Sequence, residues 1–420
     1  MHDADDIAAE AVQARPSALQ LPSARIALLA IALSCFGLVM VASVAGVDGL
    51  VTAALKRLIV TALALGALAV GACTPYQWWR RHNWLVLAAS GALLVLVFVP
   101  GLGMTLNGAR RWLNLGLPVG CQPSEFAKPA LCIWVAAYCE RNAHRMRHAI
   151  YGFLLPMAVV GATTLLILAE PDFGTAALAG AVCTTVLLVF GMRPVFLLMA
   201  LAAAMPFLQK LIFEVPYRYQ RIVAFMDPWS DPRGSGYQLI QSKIAVGSGG
   251  LWGRGLGAGL QKAGFLPGAD NDFIFSVVAE ELGLVGSLAV ICLLAGLLWE
   301  CSKVILRARD PFGFALALGL SWLLGMQAAA HIAVVTGTVP TKGLSLPFVS
   351  AGGSSLIASM AAAGILVSIA RSQEAPGRHP LAAWSEDVPL YERAVRRALG
   401  GLGGVCPQPL ARFLETAEVR

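Results

Sequence analysis

Residues 273–299, FIFSVVAEELGLVGSLAVICLLAGLLW, decide the fold. A helix needs about 20 predominantly apolar residues to cross the hydrocarbon core of a bilayer, and this run is longer than that. Working outward from it, comparable runs recur near 25–47, 58–75, 84–103, 125–139, 150–169, 173–191, 194–209, 312–336 and 354–370, which makes ten candidate spans. The run 125–139 is short and begins with Glu125 and Lys128, and 194–209 is interrupted by Pro206. The whole chain agrees with this reading. It has 420 residues, 57% hydrophobic and 13% charged, and its mean hydropathy of +0.71 lies outside the range of soluble domains. The expectation is an all-α polytopic membrane protein with about ten transmembrane helices.

An even number of spans puts both termini on one side. Lys and Arg in the short loops set the orientation. One side carries Arg80, Arg81, Arg141, Arg145, Arg147, Arg193, Lys303, Arg307 and Arg309, and the other carries Lys56, Arg57, Arg110, Arg111, Lys128 and Lys342. The tail adds Arg371 and Arg378 to the first side, so both termini are expected in the cytoplasm. Residues 210–272, left out of that count, then form a large extracytoplasmic loop between helices 7 and 8. The chain divides into a cytoplasmic N-terminal segment (1–24), a transmembrane domain (25–371) and a proline-containing cytoplasmic tail (372–420) with a short helix expected around Tyr391–Leu399. The acidic N-terminus lacks the basic region of a cleavable signal peptide, so 25–47 reads as a retained span. Of the nine cysteines most lie within spans, and no CxxC metal pair or disulfide framework is visible. A formal charge of +7 suits an anionic partner or anionic lipid, or simply basic cytoplasmic loops. No nucleic-acid partner is expected.

Two outward loops, 104–124 and 336–353, are rich in Gly and Pro and too apolar for solvated linkers. Irregular backbone at membrane depth survives only where protein covers it or where it lines a cavity, so both are expected to fold back into the bundle. The stretch GYQLIQSKIAVGSGGLWGRGLGAGL (236–260) reads as an interfacial helix followed by a close-packed glycine turn. A phosphate cradle is the other reading, though no GxxxxGK[ST] pattern follows.

Ionisable groups at span ends are costly and become functional candidates. Glu125 and Lys128 sit three apart on one helical face, either as a functional pair or as an ion pair at a helix start capped by Ser124. Asp272, at the mouth of the 273–299 span, is a candidate general base or an N-terminal cap. Glu280 shares its face and is expected to order the bundle by hydrogen bonding. Arg110, Arg111 and Lys342 suit a pyrophosphate, or snorkel to lipid headgroups. Asp172, in a very short loop, is expected to cap the next span.

Seven segments in order resemble signatures of the SEDS family (shape, elongation, division and sporulation): NGARRWLNLG (107–116), QPSEFAK (122–128), PDFGTA (171–176), RYQRIVAFMDPW (218–229), GYQLIQSKIAVGSGGLWGRGLG (236–257), DFIFSVVAEELG (272–283) and PTKGLSLPFVSAGGSSL (340–356). NGARRW and PTKGLSLPF look like the division or sporulation branch more than the elongation branch. The resemblance implies a membrane glycosyltransferase that polymerises lipid II into peptidoglycan during division. Asp272 then falls on the proposed catalytic aspartate, Glu125 and Lys128 on an essential pair, and Arg111 on the arginine before Trp. Arg110, Lys342 and Asp270 are carried as further substrate-binding candidates. The implied donor is a lipid-linked disaccharide whose undecaprenyl pyrophosphate leaves with inversion. A divalent cation, Mg or Mn, is compatible with this chemistry, and a class B penicillin-binding protein and other division proteins are the implied partners in the bacterial plasma membrane at the septum. A lipid II flippase and a non-catalytic division scaffold remain as alternatives. The chain departs from the family pattern at Gly268 and Asp270, where a Glu and a His are usual, and at Ala351, Glu170 and His331.

Overall fold

The computed structural model describes residues 21–106, 109–114, 120–213 and 216–374. The expected N-terminal segment up to residue 20, and the tail from residue 375 with its helix near Tyr391–Leu399, lie outside the described residues. The chain is mostly helical. Its helices are α1 (Pro22–Cys73), α2 (Tyr76–Arg81), α3 (Asn83–Leu96), α4 (Pro123–Asn142), α5 (Leu155–Ala169), α6 (Phe173–Val189), α7 (Pro194–Phe213), α8 (Pro216–Met226), α9 (Tyr237–Ser248), α10 (Ile274–Leu306), α11 (Pro311–Val335) and α12 (Gly353–Glu374). A two-stranded antiparallel hairpin, β1 (Gly103–Leu106) and β2 (Ala109–Leu113), follows α3.

Among the described residues, six helical stretches are long and apolar enough to cross a membrane: Pro22–Ala45, Ala54–Cys73, Ala149–Ala169, Ile274–Leu306, Pro311–Val335 and Gly353–Glu374. Asn83–Leu96, Phe173–Val189 and Pro194–Pro206 are shorter apolar helices. Prolines at the first turns of α4, α5 and α11 start these helices where a missing N–H costs nothing. Asp172 caps α6 by accepting from the Thr175 N–H at 3.1 Å, as the sequence suggested.

The run α1 contains two spans that double back. Ser23 at its start donates to Glu374 Oε2 at 2.7 Å, while Thr74, just past its end, accepts from Ser368 Oγ at 2.7 Å. A straight helix of this length would be about 78 Å long, so its two ends meet α12 only if the chain reverses between the spans. Both ends of the described chain therefore lie at one end of the bundle, here the proximal end. Arg80, Arg141, Arg309 and Arg371 bond Glu140, Asn83, the Gln373 carbonyl and the Ala72 carbonyl there. The core is built on α12, whose apolar window is 89% buried against 28–56% for the other five spans.

Of residues 336–352, the stretch 344–350 sinks into the opposite, distal end, while Thr336, Thr338 and Gly343 are exposed. Leu344, Leu346, Phe348 and Val349 are buried, and a Cβ added to Gly37 of α1 would fall 2.6 Å from the Val349 carbonyl oxygen. Arg57, also buried, holds this loop by donating to the carbonyls of Ser350, Phe348 and Val349 at 2.6, 3.2 and 3.2 Å. Those bonds satisfy carbonyls that a helix would have satisfied itself.

Helix α10 is broken at Gly283 (φ 65°, ψ −161°). Beyond the break it runs antiparallel to the first span, from the joint, where Glu281 lies beside Ser43, to Glu300 beside Arg25. Before the break it folds back toward the bundle. The Asn271 carbonyl accepts from Ser350, next to the Val349 that abuts Gly37, and Gly37 lies about 9 Å proximal to Ser43 along the helix. Asp272 is thus recessed rather than standing at the tip of a continuous span.

Candidate active site

Asp272 is presented by a turn rather than by a cap. Gly268, at φ 74°, adopts the left-handed backbone that glycine tolerates, and its carbonyl accepts the N–H groups of Asn271 and Phe273, both at 3.1 Å. Phe273 is the N-cap of α10 and no side chain caps that helix, so the capping role considered for Asp272 is not realised. Gly268, one of the departures from the family pattern, is therefore what turns the chain toward Asp272.

The Asp272 carboxylate accepts from Asn271 Nδ2 at 3.1 Å. The 341–343 backbone leans on it closely enough that a Cβ on Gly343 would lie 2.9 Å from Oδ2. Burial pushes the carboxyl up to about 6, and nearby Asp270 and Asp172 push the same way while Arg221 and Arg111 oppose them. The Ala351 N–H donates to the Asp270 carbonyl at 2.9 Å. Arg221 donates to the Thr341 carbonyl at 2.8 Å, tying α8 to the same loop.

The cations divide into two sets. Arg111 reaches into the site, with Nε donating to the Glu170 carbonyl at 2.9 Å and Nη2 to the Pro171 carbonyl at 2.6 Å. Lys342 lies over the Phe173 ring at 4.6 Å, and burial lowers its ammonium below the usual lysine range while Asp172 resists. Arg110 points elsewhere. It donates to the carbonyls of Gly103, Phe98 and Val99 at 3.4, 3.3 and 3.2 Å, which fastens the hairpin to the end of α3.

Lys128 is 2% exposed; its Nζ lies 2.9 Å from Glu125 Oε2 and donates to Gln327 Oε1 at 2.8 Å. Gln327 in turn donates to the Ser345 carbonyl at 2.9 Å, and Ser345 donates to Ser355 at 2.6 Å. The pair therefore joins α4, α11, the 336–352 loop and α12 beneath the site. Ser124 accepts from Gln122 and caps nothing.

Glu170 has a buried carboxyl whose two oxygens have no hydrogen-bond partner among the described residues. Burial and the nearby Asp172 raise it to about 8, with Arg111 opposing. His331, another departure, is buried with Nδ1 2.7 Å from the Leu344 carbonyl, which holds the same loop.

Sequence reasoning missed a pocket of about 360 Å³ beside Asp270, lined by Lys56, Arg57, Trp112, Asn271 and Gly352. Arg57 Nε has no partner among the described residues. The signal in sequence was the adjacent Lys56–Arg57 pair opening the second span, which counts only as loop charge until the 348–351 backbone is seen against it. Among the described residues no three His, Cys, Asp or Glu side chains are arranged to hold a metal ion. Asp270 and Asp272 supply too few ligands for a protein-built divalent site.

The model of the FtsW, RodA and SpoVE cell cycle proteins matches residues 23–375. A relative from Geobacter metallireducens, named probable peptidoglycan glycosyltransferase FtsW, is 42% identical over 352 residues, covering 82% of this chain and 93% of its own. One from Allochromatium vinosum with the same name is 42% identical over 313 residues, covering 73% and 77%. A solved structure described as the structural coordination of polymerization and crosslinking by a peptidoglycan synthase complex aligns with a TM-score of 0.69 at 30% identity, over 83% of this chain and 97% of that one. The rod shape determining protein RodA of Thermus thermophilus aligns with a TM-score of 0.61 at 25% identity, over the same shares. This multi-pass membrane chain belongs to the FtsW, RodA and SpoVE family of cell cycle proteins.

Proposed function

We propose that this chain is a peptidoglycan glycosyltransferase that polymerises lipid II, with Asp272 as its general base. The observation that carries the reading is the recessed Asp272 carboxyl, raised to about 6, placed between the Arg111–Lys342 side of the site and the Lys56–Arg57 pocket. A base of that strength is mostly ionised at neutral pH yet still takes a proton better than an ordinary aspartate.

Asp272 removes the proton from the 4-hydroxyl of the acceptor sugar as that oxygen attacks the anomeric carbon of the donor. The bond to undecaprenyl pyrophosphate breaks, its electron pair leaves with the pyrophosphate, and the configuration inverts. Arg111, Lys342, Lys56 and Arg57 are the cations available to offset the charge building on the leaving group, a form of help worth about 3–4 kcal/mol per well-placed donor. The buried Glu125–Lys128 pair supports the floor of the site.

If the three shorter apolar helices and α4 cross beside the six long spans, the chain makes ten crossings. The basic proximal end then faces the cytoplasm with both termini, residues 1–24 and 372–420 are cytoplasmic, and residues 210–272 face outward. The chain's place is the plasma membrane at the division septum, beside a class B penicillin-binding protein; membership of a cell cycle family and likeness to a synthase complex that coordinates polymerization with crosslinking support this reading.

The test is purified protein in detergent given lipid II, together with the partner transpeptidase. Glycan chains that form with the native chain and vanish with Asp272→Ala support the reading. Absence of polymer, polymer indifferent to that substitution, or labelled lipid crossing vesicles without joined sugars would each overturn it.

A further inference from the structure

The helix that follows Asp272 is interrupted at Gly283, and the glycine-rich stretch after α9 repairs the interruption. The N–H groups of Arg254 and Gly255 donate to the carbonyls of Glu280 and Glu281 at 3.0 and 2.9 Å. The carbonyls of Gly250 and Leu251 accept from Leu284 and Val285 at 3.0 and 3.2 Å. These four bonds replace helical ones that the break removes. Backbone N–H groups that the sequence offered as a phosphate cradle are thus turned inward onto the protein's own carbonyls and carboxylates.

The side chains complete the joint. Glu280 and Glu281 are both 0% exposed. Glu280 accepts from the N–H groups of Leu260 and Gln261 at 2.8 and 3.2 Å, and Arg254 lies 3.7 Å away. Glu281 accepts from the Gly257 N–H at 3.2 Å and from Ser43 Oγ at 2.6 Å. Its partner cation is Lys262, 2.6 Å away with a side chain 9% exposed, which also donates to the Ser43 carbonyl at 2.8 Å. The joint is therefore tied to the first span as well as to the glycine stretch.

Residues 274–282 form an arm about 15 Å long between this joint and Asp272. A tilt of about 4° at the joint moves the end of such an arm by about 1 Å, and a misplacement of that size can cost about 100-fold in rate. We propose that Lys262 and Glu281 are positioning residues for glycosyl transfer: their buried ion pair, shared with Ser43, sets the angle of the broken helix and so the place of Asp272. The proposal rests on the reading of Asp272 as the base.

The experiment compares Lys262→Met, Lys262→Arg, Glu281→Gln and Ser43→Ala by rate of lipid II polymerisation, KM, pH profile and melting temperature. Lys262→Met and Glu281→Gln are expected to lower kcat per folded molecule by about tenfold or more with KM within about twofold. Their acid limb is expected to move from about 6 toward the ordinary aspartate value near 4, as the carboxyl becomes more hydrated. Lys262→Arg restores most of the rate. Should Lys262→Met and Glu281→Gln fail to fold, Ser43→Ala, which keeps the ion pair, carries the test with the same direction of shift. A lower melting temperature with kcat and acid limb unchanged in the folded variants overturns the proposal and leaves a purely structural joint. A fully active Asp272→Asn overturns instead the reading of the base, which separates the two failures.

Discussion

Two carboxylates, one on the broken helix α10 and one in the turn that leads into it, are treated in opposite ways. Glu281 is fully buried and surrounded by a backbone N–H, a hydroxyl and an ammonium, whereas Asp272 accepts, among the described residues, only from Asn271. A buried anion with its full set of donors is stable and inert, because moving its charge or proton would break bonds already made. One held short of donors, half-buried and beside a second carboxylate, keeps a proton affinity that chemistry can use. The Glu125–Lys128 pair falls on the Glu281 side of this division, although the family resemblance groups it with Asp272.

The largest expected effect breaks the comparison if it fails. Asp272→Asn should lower polymerisation by about 100- to 10,000-fold with little change in melting temperature, measured from glycan chains made from lipid II. Next, Lys128→Met strands Glu125 as a buried, unpaired carboxylate and should cost about 3–5 kcal/mol of stability, read from unfolding in detergent. A variant that keeps its stability but loses catalysis would move the pair to the chemical side.

Acid pH sharpens the contrast further. As the proposed base, Asp272 would have to be ionised to act, so the rate should be flat through neutrality and fall about tenfold for each pH unit below about 6. An acid limb near 4 would place Asp272 in water. The smallest effect is expected at Glu170. Its folded carboxyl is raised to about 8, so the native chain loses stability as pH rises from the unfolded value near 4 through 8. Glu170→Gln should melt about 2–4 °C higher than the native chain at pH 8, and the two should converge near pH 4.

Much of this was legible in the chain. The long spans are local patterns of apolar residues matched to a bilayer, Asp172 directly precedes the helix it caps, and the burial of residues 344–350 follows from their composition. Asp272 stood out because a carboxylate beside a long apolar run is costly. Less legible were the roles of neighbours. Arg110 and Arg111 are adjacent in sequence, yet one fastens a hairpin and the other enters the site, because alternate residues of a strand face opposite sides. The glycine-rich stretch announced tight turns without saying what they wrap.

By itself, then, the sequence determined the class of the protein: a polytopic helical membrane chain with its exceptional charges at span ends, since the cost of placing polar groups in lipid acts residue by residue. Only the tertiary structure decided which of those charges are saturated. The partners are far apart in the chain, Lys262 from Ser43 by 219 residues and Arg57 from Ser350 by 293. A donor supplied across such a separation leaves no local pattern, and the supply of donors is what divides a structural carboxylate from a reactive one.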